Sequence, residues 1–163
     1  MFNCSSLFFV LKLLAMIHIP ETQSYATLSE LEQKLVDMAW KMAAMAHCPF
    51  SNFPVGAALV ARNADGEEKI FGGNNIEISN WGGSLCAERV AAFKAVSEGY
   101  KTIICTAVVC SSKPSGSPCG FCRQVLRDFG KDSTIITVLD TDNTVRKWHM
   151  EELLPDSFGP ESL

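Results

Sequence analysis

The sequence predicts an α/β protein, a three-layer α/β/α sandwich around a mixed sheet of roughly five strands. Segments with the apolar spacing of helices alternate with short apolar segments bounded by turn residues, in the order helix, hairpin, helix, strand, helix, strand. The strand–helix–strand unit over 103–139 implies a right-handed crossover and parallel pairing. The hairpin adds antiparallel pairs, so the sheet is expected to be mixed.

A capping box and a stripe of leucine and methionine predict the first helix. The tetrapeptide 27–30, Thr-Leu-Ser-Glu, places a glutamate three residues after a threonine that can cap the helix. Apolar residues then recur at helical spacing and form an expected core face. The helix is expected to stop near Cys48, because the residue before proline disfavours helix.

Two further helices are expected over roughly 85–99 and 119–130, each closed by a glycine. The expected buried faces are Val90, Phe93 and Val96 in the second helix and Phe121, Val125 and Phe129 in the third. The expected strands are 55–61, 68–72, 103–110, 135–139 and, at an edge, 144–149. A short helix is expected over 151–154.

Composition and charge narrow the function classes. The chain has 163 residues, a formal net charge of −4 and a pI near 5.3. A nucleic-acid binder normally needs a basic face, so no nucleic-acid partner is expected. Seven cysteines cannot all pair, and this usage fits a reducing compartment. We therefore expect a cytoplasmic protein.

The first residues form an apolar extension of uncertain role. Residues 7–19 are apolar apart from Lys12, a stretch too short to span a bilayer comfortably, so no stable membrane insertion is expected. The first six residues lack a basic residue, and only a weak cleavage site follows. An export signal, an amphipathic membrane contact and an extension outside the functional chain all fit; we favour the last. Residues 1–24 are thus set apart from a single domain over 25–163.

Two motifs 33 residues apart offer three thiolates for one zinc ion. They are Cys86-Ala87-Glu88 and the Pro-Cys-Gly-Phe-Cys segment that contains Cys119 and Cys122. Three protein ligands leave a fourth position on tetrahedral zinc open for water, as in catalytic sites. The carboxylate of Glu88, two residues from the first ligand, is then well placed to move the protons of that water.

Charge around the thiolates is expected to be offset by nearby positive groups. Both Cys86 and Cys119 fall where a helix begins, and free N–H groups at helix starts stabilise thiolates. Arg89 and Arg123 each follow a motif by one residue and are expected to reduce the net charge of −1 at the site.

Two other interpretations of the cysteines fit less well. A structural zinc site usually has a fourth Cys or His, but His18, His47 and His149 do not form a ligand pair. A redox Cys-x-x-Cys with an unrelated Cys86 leaves Glu88 unexplained. The combination matches the zinc deaminase pattern, with Cys in place of the usual His.

The chain resembles the cytidine deaminases that act on free nucleosides. Residues 1 to about 24 have no counterpart in that family. The matching stretches, in the family's order, are 51–58 (SNFPVGAA), 73–77 (GNNIE), 86–89 (CAER), 118–124 (PCGFCRQ) and 153–160 (LLPDSFGP).

The resemblance implies a role for each matching site residue. Zinc would be held, one per subunit, by Cys86, Cys119 and Cys122, with Glu88 as the proton shuttle. Asn75 and Glu77 would hydrogen-bond the ribose 3′-hydroxyl, while Phe53 packs beside the base and Ala87 joins the substrate-binding residues. Phe158 would reach the site of a neighbouring subunit in a homotetramer.

The loop before Cys86 departs from the family. The usual Asn and Tyr-Pro residues are replaced by Ile78, Trp81 and Gly82. Trp81 can retain an aromatic contact, and the adjacent glycines Gly82 and Gly83 predict a looser loop.

The predicted function of 25–163 is zinc-dependent hydrolytic deamination of cytidine and deoxycytidine, as in pyrimidine salvage. One alternative is a polynucleotide cytosine deaminase, which generally needs basic strand contacts. A deaminase of a cytosine-bearing antibiotic would share both zinc motifs. A non-catalytic zinc protein would need neither Glu88 nor an open zinc position.

Overall fold

The computed structural model describes residues 19–111, 116–139 and 144–163. Residues 7–18 of the apolar stretch, among them His18, lie outside these residues. Within the described ranges, no helix has the length and apolar character needed to cross a membrane.

The described residues form six strands and four α-helices. The strands are β1 (Gln23–Ser24), β2 (Val55–Arg62), β3 (Glu68–Asn74), β4 (Thr102–Cys110), β5 (Thr134–Val138) and β6 (Thr144–His149). The helices are α1 (Glu30–Ala43), α2 (Ala87–Ser97), α3 (Gly120–Phe129) and α4 (Met150–Leu153).

The strands make one mixed sheet in the order β1-β6-β5-β4-β2-β3. β4 and β5, on either side of α3, pair in parallel, from Cys105 opposite Thr134 to Val108 opposite Thr137. The other neighbours pair antiparallel, including the β2–β3 hairpin. The predicted parallel pairing and the predicted hairpin are therefore confirmed.

A sixth strand was not predicted. Gln23 and Ser24 pair with Val145 and Thr144, so β6 is not an edge strand. The predicted domain boundary after residue 24 therefore leaves β1 outside the domain, although β1 is part of the sheet. Two residues are too short to show the alternation by which a strand is recognised in sequence.

Helices cover both faces of the sheet, which confirms the three-layer architecture. On one face, Leu35 and Ala39 of α1 share a buried cluster with Ala107 and Ile136. On the other face, α2, α3 and α4 share a second buried cluster with β2, β3, β4 and β5. Neighbouring residues of β2 alternate between the two clusters, as the two-residue repeat of a strand requires.

α1 begins two residues later than predicted and ends earlier. Its capping residue is Ser29, whose hydroxyl accepts from the N–H of Glu32, while the Glu32 carboxylate accepts the N–H of Ser29 at 2.9 Å. Thr27 instead donates to the carbonyl of Ser24 at 2.7 Å. The helix stops at Ala43 because tighter turns follow it and lead the chain toward β3.

The predicted buried faces of α2 and α3 are partly wrong. α2 buries its alanines, whereas Phe93 is 43% exposed, and Phe121 of α3 is 76% exposed. The alanines allow a close approach to β3: a Cβ added at Gly73 would lie 2.4 Å from the carbonyl oxygen of Ala87. The remaining predicted residues of these faces, Val90, Val96, Val125 and Phe129, are half-buried.

Candidate active site

Three cysteine sulfurs meet where α2 and α3 begin. Cys86 and Cys119 are the residues that immediately precede the two helices, and Cys122 lies in the first turn of α3. The sulfurs of Cys86 and Cys119 are 3.9 Å apart, those of Cys119 and Cys122 are 3.5 Å apart, and all three lie within 4.8 Å of one another.

This spacing fits one tetrahedral zinc ion. Bonds of about 2.3 Å from zinc to sulfur place two thiolates about 3.8 Å apart. Neither Cys86 nor Cys119 uses its side chain to cap its helix, so both sulfurs are available as ligands. Cys122 is fully buried and Cys119 is exposed, so the cluster lies between the core and the surface.

One of the three sulfurs, that of Cys86, is stabilised as a thiolate by its surroundings. Interactions with the Cys122 thiol and with the guanidinium of Arg89 lower the pKa of Cys86 to about 5. The interaction with Cys86 and burial raise the pKa of Cys122. A metal ion that binds here would displace the protons that remain on the other thiols, since only thiolates bind the metal.

The two arginines that follow the motifs have different contacts. Arg89 donates to the sulfur of Cys86 at 3.7 Å and to the carbonyl of Ser84 at 3.1 Å. Arg123 donates to the carbonyls of Pro118 and Leu153 at 2.8 and 2.9 Å and to the hydroxyl of Ser117. Arg123 therefore braces the segment before Cys119 against α4, and its charge-offsetting role stays a prediction.

Glu88 lies in the first turn of α2 and is only 4% exposed. Burial raises the pKa of Glu88 to about 7, and the nearby thiolate of Cys86 adds to this effect. A carboxyl group with such a pKa can both accept and release a proton near neutral pH.

A cavity of about 470 Å³ opens beside the cysteine cluster. The predicted site residues that line it are Phe53, Asn75, Glu77, Cys86, Glu88, Arg89 and Cys119. The remaining lining residues, which the sequence did not single out as substrate contacts, include Ser51, Trp81, Leu85 and Ser117.

Asn75 and Glu77 hold the 50–55 segment against the cavity. The side chain of Asn75 accepts the N–H of Val55 at 2.8 Å and donates to the carbonyl of Phe53 at 2.9 Å. The carboxylate of Glu77 accepts the N–H groups of Phe50 and Ser51 at 2.9 and 3.1 Å. Both side chains are thus part of the wall that carries Phe53.

Ser51 is a functional candidate that the sequence did not reveal. Its hydroxyl donates to the Glu77 carboxylate and accepts the N–H of Phe53 at 3.1 Å. The hydrogen bond from the Ser51 hydroxyl, together with those from the backbone N–H groups of Ser51 and Phe50, lowers the pKa of Glu77 and keeps it ionised. Between Ser51 and Phe53, Asn52 has a φ of 53°, a conformation that asparagine tolerates better than most residues. The only signal in the sequence was the position of Ser51 inside a family motif.

Two side-chain hydrogen bonds shape the loop before Cys86, and its looseness stays a prediction. The side chain of Asn80 accepts the N–H of Gly82 at 3.2 Å, and the N–H of Ile78 donates to the Ser84 hydroxyl at 3.1 Å. This arrangement presents Trp81 to the cavity, where its ring lies 5.7 Å from that of Phe50. The aromatic contact expected of Trp81 is therefore made with Phe50.

Two predicted substrate residues do not line this cavity. Ala87 is fully buried in a cluster with Ala57 and Val108. Phe158 is 63% exposed, and its carbonyl accepts a hydrogen bond from Gln124 at 3.0 Å. Within the described chain, the ring of Phe158 belongs to the surface.

Comparison with known proteins agrees with this geometry. A family model described as the zinc-binding region of cytidine and deoxycytidylate deaminases matches residues 29–138, which include all three clustered cysteines and Glu88. The chain belongs to the cytidine and deoxycytidylate deaminase family. The family binds zinc, and the cysteine cluster is consistent with one zinc ion per subunit.

Relatives in the family are similar over most of the chain. A cytidine deaminase from Sporosarcina psychrophila is 40% identical over 131 residues, which cover 80% of this chain and 93% of that protein. A probable cytidine deaminase from Dictyostelium discoideum is 42% identical over 135 residues, with coverage of 82% and 87%. The crystal structure of cytidine deaminase from Burkholderia pseudomallei matches with a TM-score of 0.70 at 36% identity, covering 80% and 100% of the two chains.

Family membership confirms the resemblance, the cytidine deaminase fold and the zinc cofactor predicted from the sequence. The individual roles of the site residues stay predictions: those of Cys86, Cys119, Cys122, Glu88, Arg89, Phe53, Asn75, Glu77, Ala87 and Phe158.

Proposed function

We propose that this chain is a hydrolase that converts cytidine and deoxycytidine into uridine and deoxyuridine and releases ammonia. The observation that carries the proposal is the position of Glu88, a buried carboxyl group in a cavity that is also lined by Cys86 and Cys119 of the cysteine cluster. Cytidine deaminases that are 40% and 36% identical to this chain support the choice of substrate.

The cysteines would hold the metal and its charge. Cys86, Cys119 and Cys122 would bind one Zn²⁺, which when bound supplies a water nucleophile of lowered pKa. The guanidinium of Arg89 is hydrogen-bonded to the Cys86 sulfur and would reduce the negative charge that the ligands place on a bound metal.

Glu88 would move two protons in turn. It accepts a proton from the water nucleophile and delivers it to N3 of the cytosine ring, which makes C4 more electrophilic. Glu88 then takes the remaining proton of that water from the oxygen now bound to C4 and delivers it to the 4-amino group. The bond between C4 and this nitrogen breaks, ammonia leaves, and C4 keeps the oxygen as a carbonyl. The raised pKa of Glu88, which its burial causes, suits both transfers.

Asn75 and Glu77 would orient the ribose, and Phe53 the base. The Glu77 carboxylate already accepts three hydrogen bonds, yet two carboxylate oxygens have about four lone-pair sites and can accept a ribose hydroxyl as well. The hydrogen bonds between these two side chains and the 50–55 segment tie ribose binding to the position of Phe53. Ala87 follows the first zinc ligand, and we include its backbone in the substrate site.

A homotetramer would explain the aromatic residues left on the surface. Phe93 and Phe121 are exposed on the helices that carry the zinc ligands, and Phe158 is exposed near the C-terminus. Large apolar side chains grouped on a surface commonly mark contacts between proteins. We therefore place these rings against neighbouring subunits, with Phe158 at the edge of a neighbour's cavity.

A role in pyrimidine salvage in the cytoplasm fits this chemistry. Zinc-binding thiols are stable in a reducing compartment, where disulfides rarely form. We place the catalytic unit in residues 25–163, with β1 just before this boundary packed against it.

An absorbance assay tests the reaction. Cytidine and deoxycytidine are each incubated with the purified protein, with a single-stranded cytosine-containing oligonucleotide as the alternative substrate. We expect both nucleosides to be deaminated, a loss of activity in excess chelator and its return on adding zinc. Turnover of the oligonucleotide without turnover of cytidine would contradict the proposal.

A further inference from the structure

Arg127 is a buried charged residue outside the cavity that the reaction uses. It lies in the last turn of α3 and is 5% exposed. A buried guanidinium is costly unless hydrogen bonds and an opposite charge satisfy it. Among the residues that the structure describes, the hydrogen-bond partners of the Arg127 side chain lie in the C-terminal segment 157–161, which we call the tail.

The guanidinium binds both ends of the tail. It donates to the hydroxyl and the carbonyl of Ser157 at 2.9 and 3.4 Å. It also donates to both carboxylate oxygens of Glu161, one of them at 2.8 Å. This paired geometry fixes the orientation of the tail as well as its distance from α3.

Gly159 and Gln124 hold the centre of the tail. A Cβ added at Gly159 would lie 1.3 Å from a terminal nitrogen of Arg127, so only glycine allows the backbone to rest on the guanidinium. One helical turn before Arg127, Gln124 donates to the carbonyl of Phe158 at 3.0 Å. The backbone of Phe158 is thus fixed from two sides, yet its ring is 63% exposed.

We propose that Arg127 is a positioning residue that holds the Phe158 ring in place for the substrate cavity of a second copy of this chain. The inference rests on the proposed function, since it assigns the ring to a neighbour's site. Fixing an exposed aromatic ring in advance lowers the entropy lost when the ring closes over a substrate. Arg127 would therefore affect substrate affinity without touching the substrate.

A double-mutant cycle tests this coupling. Arg127→Met, Phe158→Ala and the double variant are compared for deamination of cytidine, with Arg62→Met as a charge-loss control on an exposed ion pair. We expect each single variant to raise KM about tenfold with kcat changed less than twofold. The double variant should match Phe158→Ala. If the increases in KM of the two single variants multiply in the double variant, the two residues act independently and the proposal is wrong. A normal KM in either single variant would also overturn it.

Amide hydrogen exchange distinguishes local loosening of the tail from destabilisation of the whole protein, and the measurement does not depend on enzyme activity. The amides of Ser162 and Leu163 donate to the carbonyls of Gly159 and Pro160 in the tail. In Arg127→Met these two amides should exchange at least tenfold faster, while those of α2 and β4 keep their rates. An equal increase in exchange rate throughout the chain, or unchanged exchange at these amides, would show that Arg127 does not hold the tail. If the unaltered protein fails to deaminate cytidine, the proposed function fails, and the exchange result still decides whether Arg127 holds the tail.

Discussion

The hydroxyl of Ser51 donates a hydrogen bond to the carboxylate of Glu77 and at the same time accepts the backbone N–H of Phe53. The residue assigned to the ribose and the residue assigned to the base are therefore joined through one hydroxyl group. Sugar binding and base stacking are expected to respond together when this hydroxyl is removed.

Ser51→Ala should weaken substrate binding more than turnover. Loss of one hydrogen bond to a carboxylate, worth about 1 kcal/mol, should raise KM for cytidine about fivefold. The value of kcat should stay within twofold, because Glu88 and the cysteines are unchanged. Steady-state kinetics measure both constants, and Ser97→Ala on the exposed end of α2 is the control. An unaltered KM would show that Ser51 does not position Glu77.

Arg89→Gln should loosen the metal. The guanidinium is the positive group that contacts Cys86, at 3.7 Å from its sulfur, and changes to groups around ligands typically reduce metal affinity about 10–100-fold. Zinc transfer to a coloured chelator should accelerate accordingly. Arg62→Gln, which removes an exposed arginine on β2, should release zinc at the normal rate. Equal rates of zinc release from the two variants would show that Arg89 does not stabilise metal binding.

Gly73→Ala should destabilise the fold. The new Cβ would lie 2.4 Å from the carbonyl oxygen of Ala87, and backbone atoms cannot move aside as a flexible side chain can. We expect a loss of about 1–3 kcal/mol in the free energy of unfolding. Gly120→Ala has open space around its new Cβ and should be close to neutral. Denaturant titration measures both, and a neutral Gly73→Ala would contradict the close packing of α2 on β3.

Acid should reveal the ion pair between Arg127 and Glu161. The hydrogen bond from Arg127 lowers the pKa of Glu161 to about 2, from an ordinary value of 4.5. The pair therefore contributes its full stability above pH 4.5 and loses it as the pH falls toward 2. Because the Glu161 side chain is half exposed, the effect should be modest and weaker in high salt. The Tm difference between the unaltered protein and Glu161→Gln should shrink across this range; a constant difference would contradict the pairing.

Much of the site was predictable because zinc ligands and helix starts leave local signals in the sequence. The spacing of Cys86, Cys119 and Cys122 was sufficient to predict a shared metal, and the structure brings their sulfurs within 4.8 Å of one another. The positions of Ser51 and Arg127 were not predictable in the same way. Their partners lie 26 and 30 or more residues away, and no periodic pattern records such contacts.

The fold shows the same division between local and distant signals. Apolar runs predicted β4 and β5 within a residue or two. Helical periodicity wrongly predicted that Phe93 and Phe121 are buried. The periodicity shows which side of a helix is apolar but does not show which residues reach the sheet. Small alanines pack closest in α2 and displace the larger side chains outward.

Glu88→Gln tests the central claim most directly. The amide has nearly the size of the carboxyl group and cannot shuttle protons, so this variant should keep one zinc per subunit and lose at least about a thousandfold in kcat for cytidine. Zinc content and turnover measured on the same preparation give the answer. A zinc-loaded Glu88→Gln protein with near-normal turnover would contradict the assignment of Glu88 and, with it, the proposed mechanism.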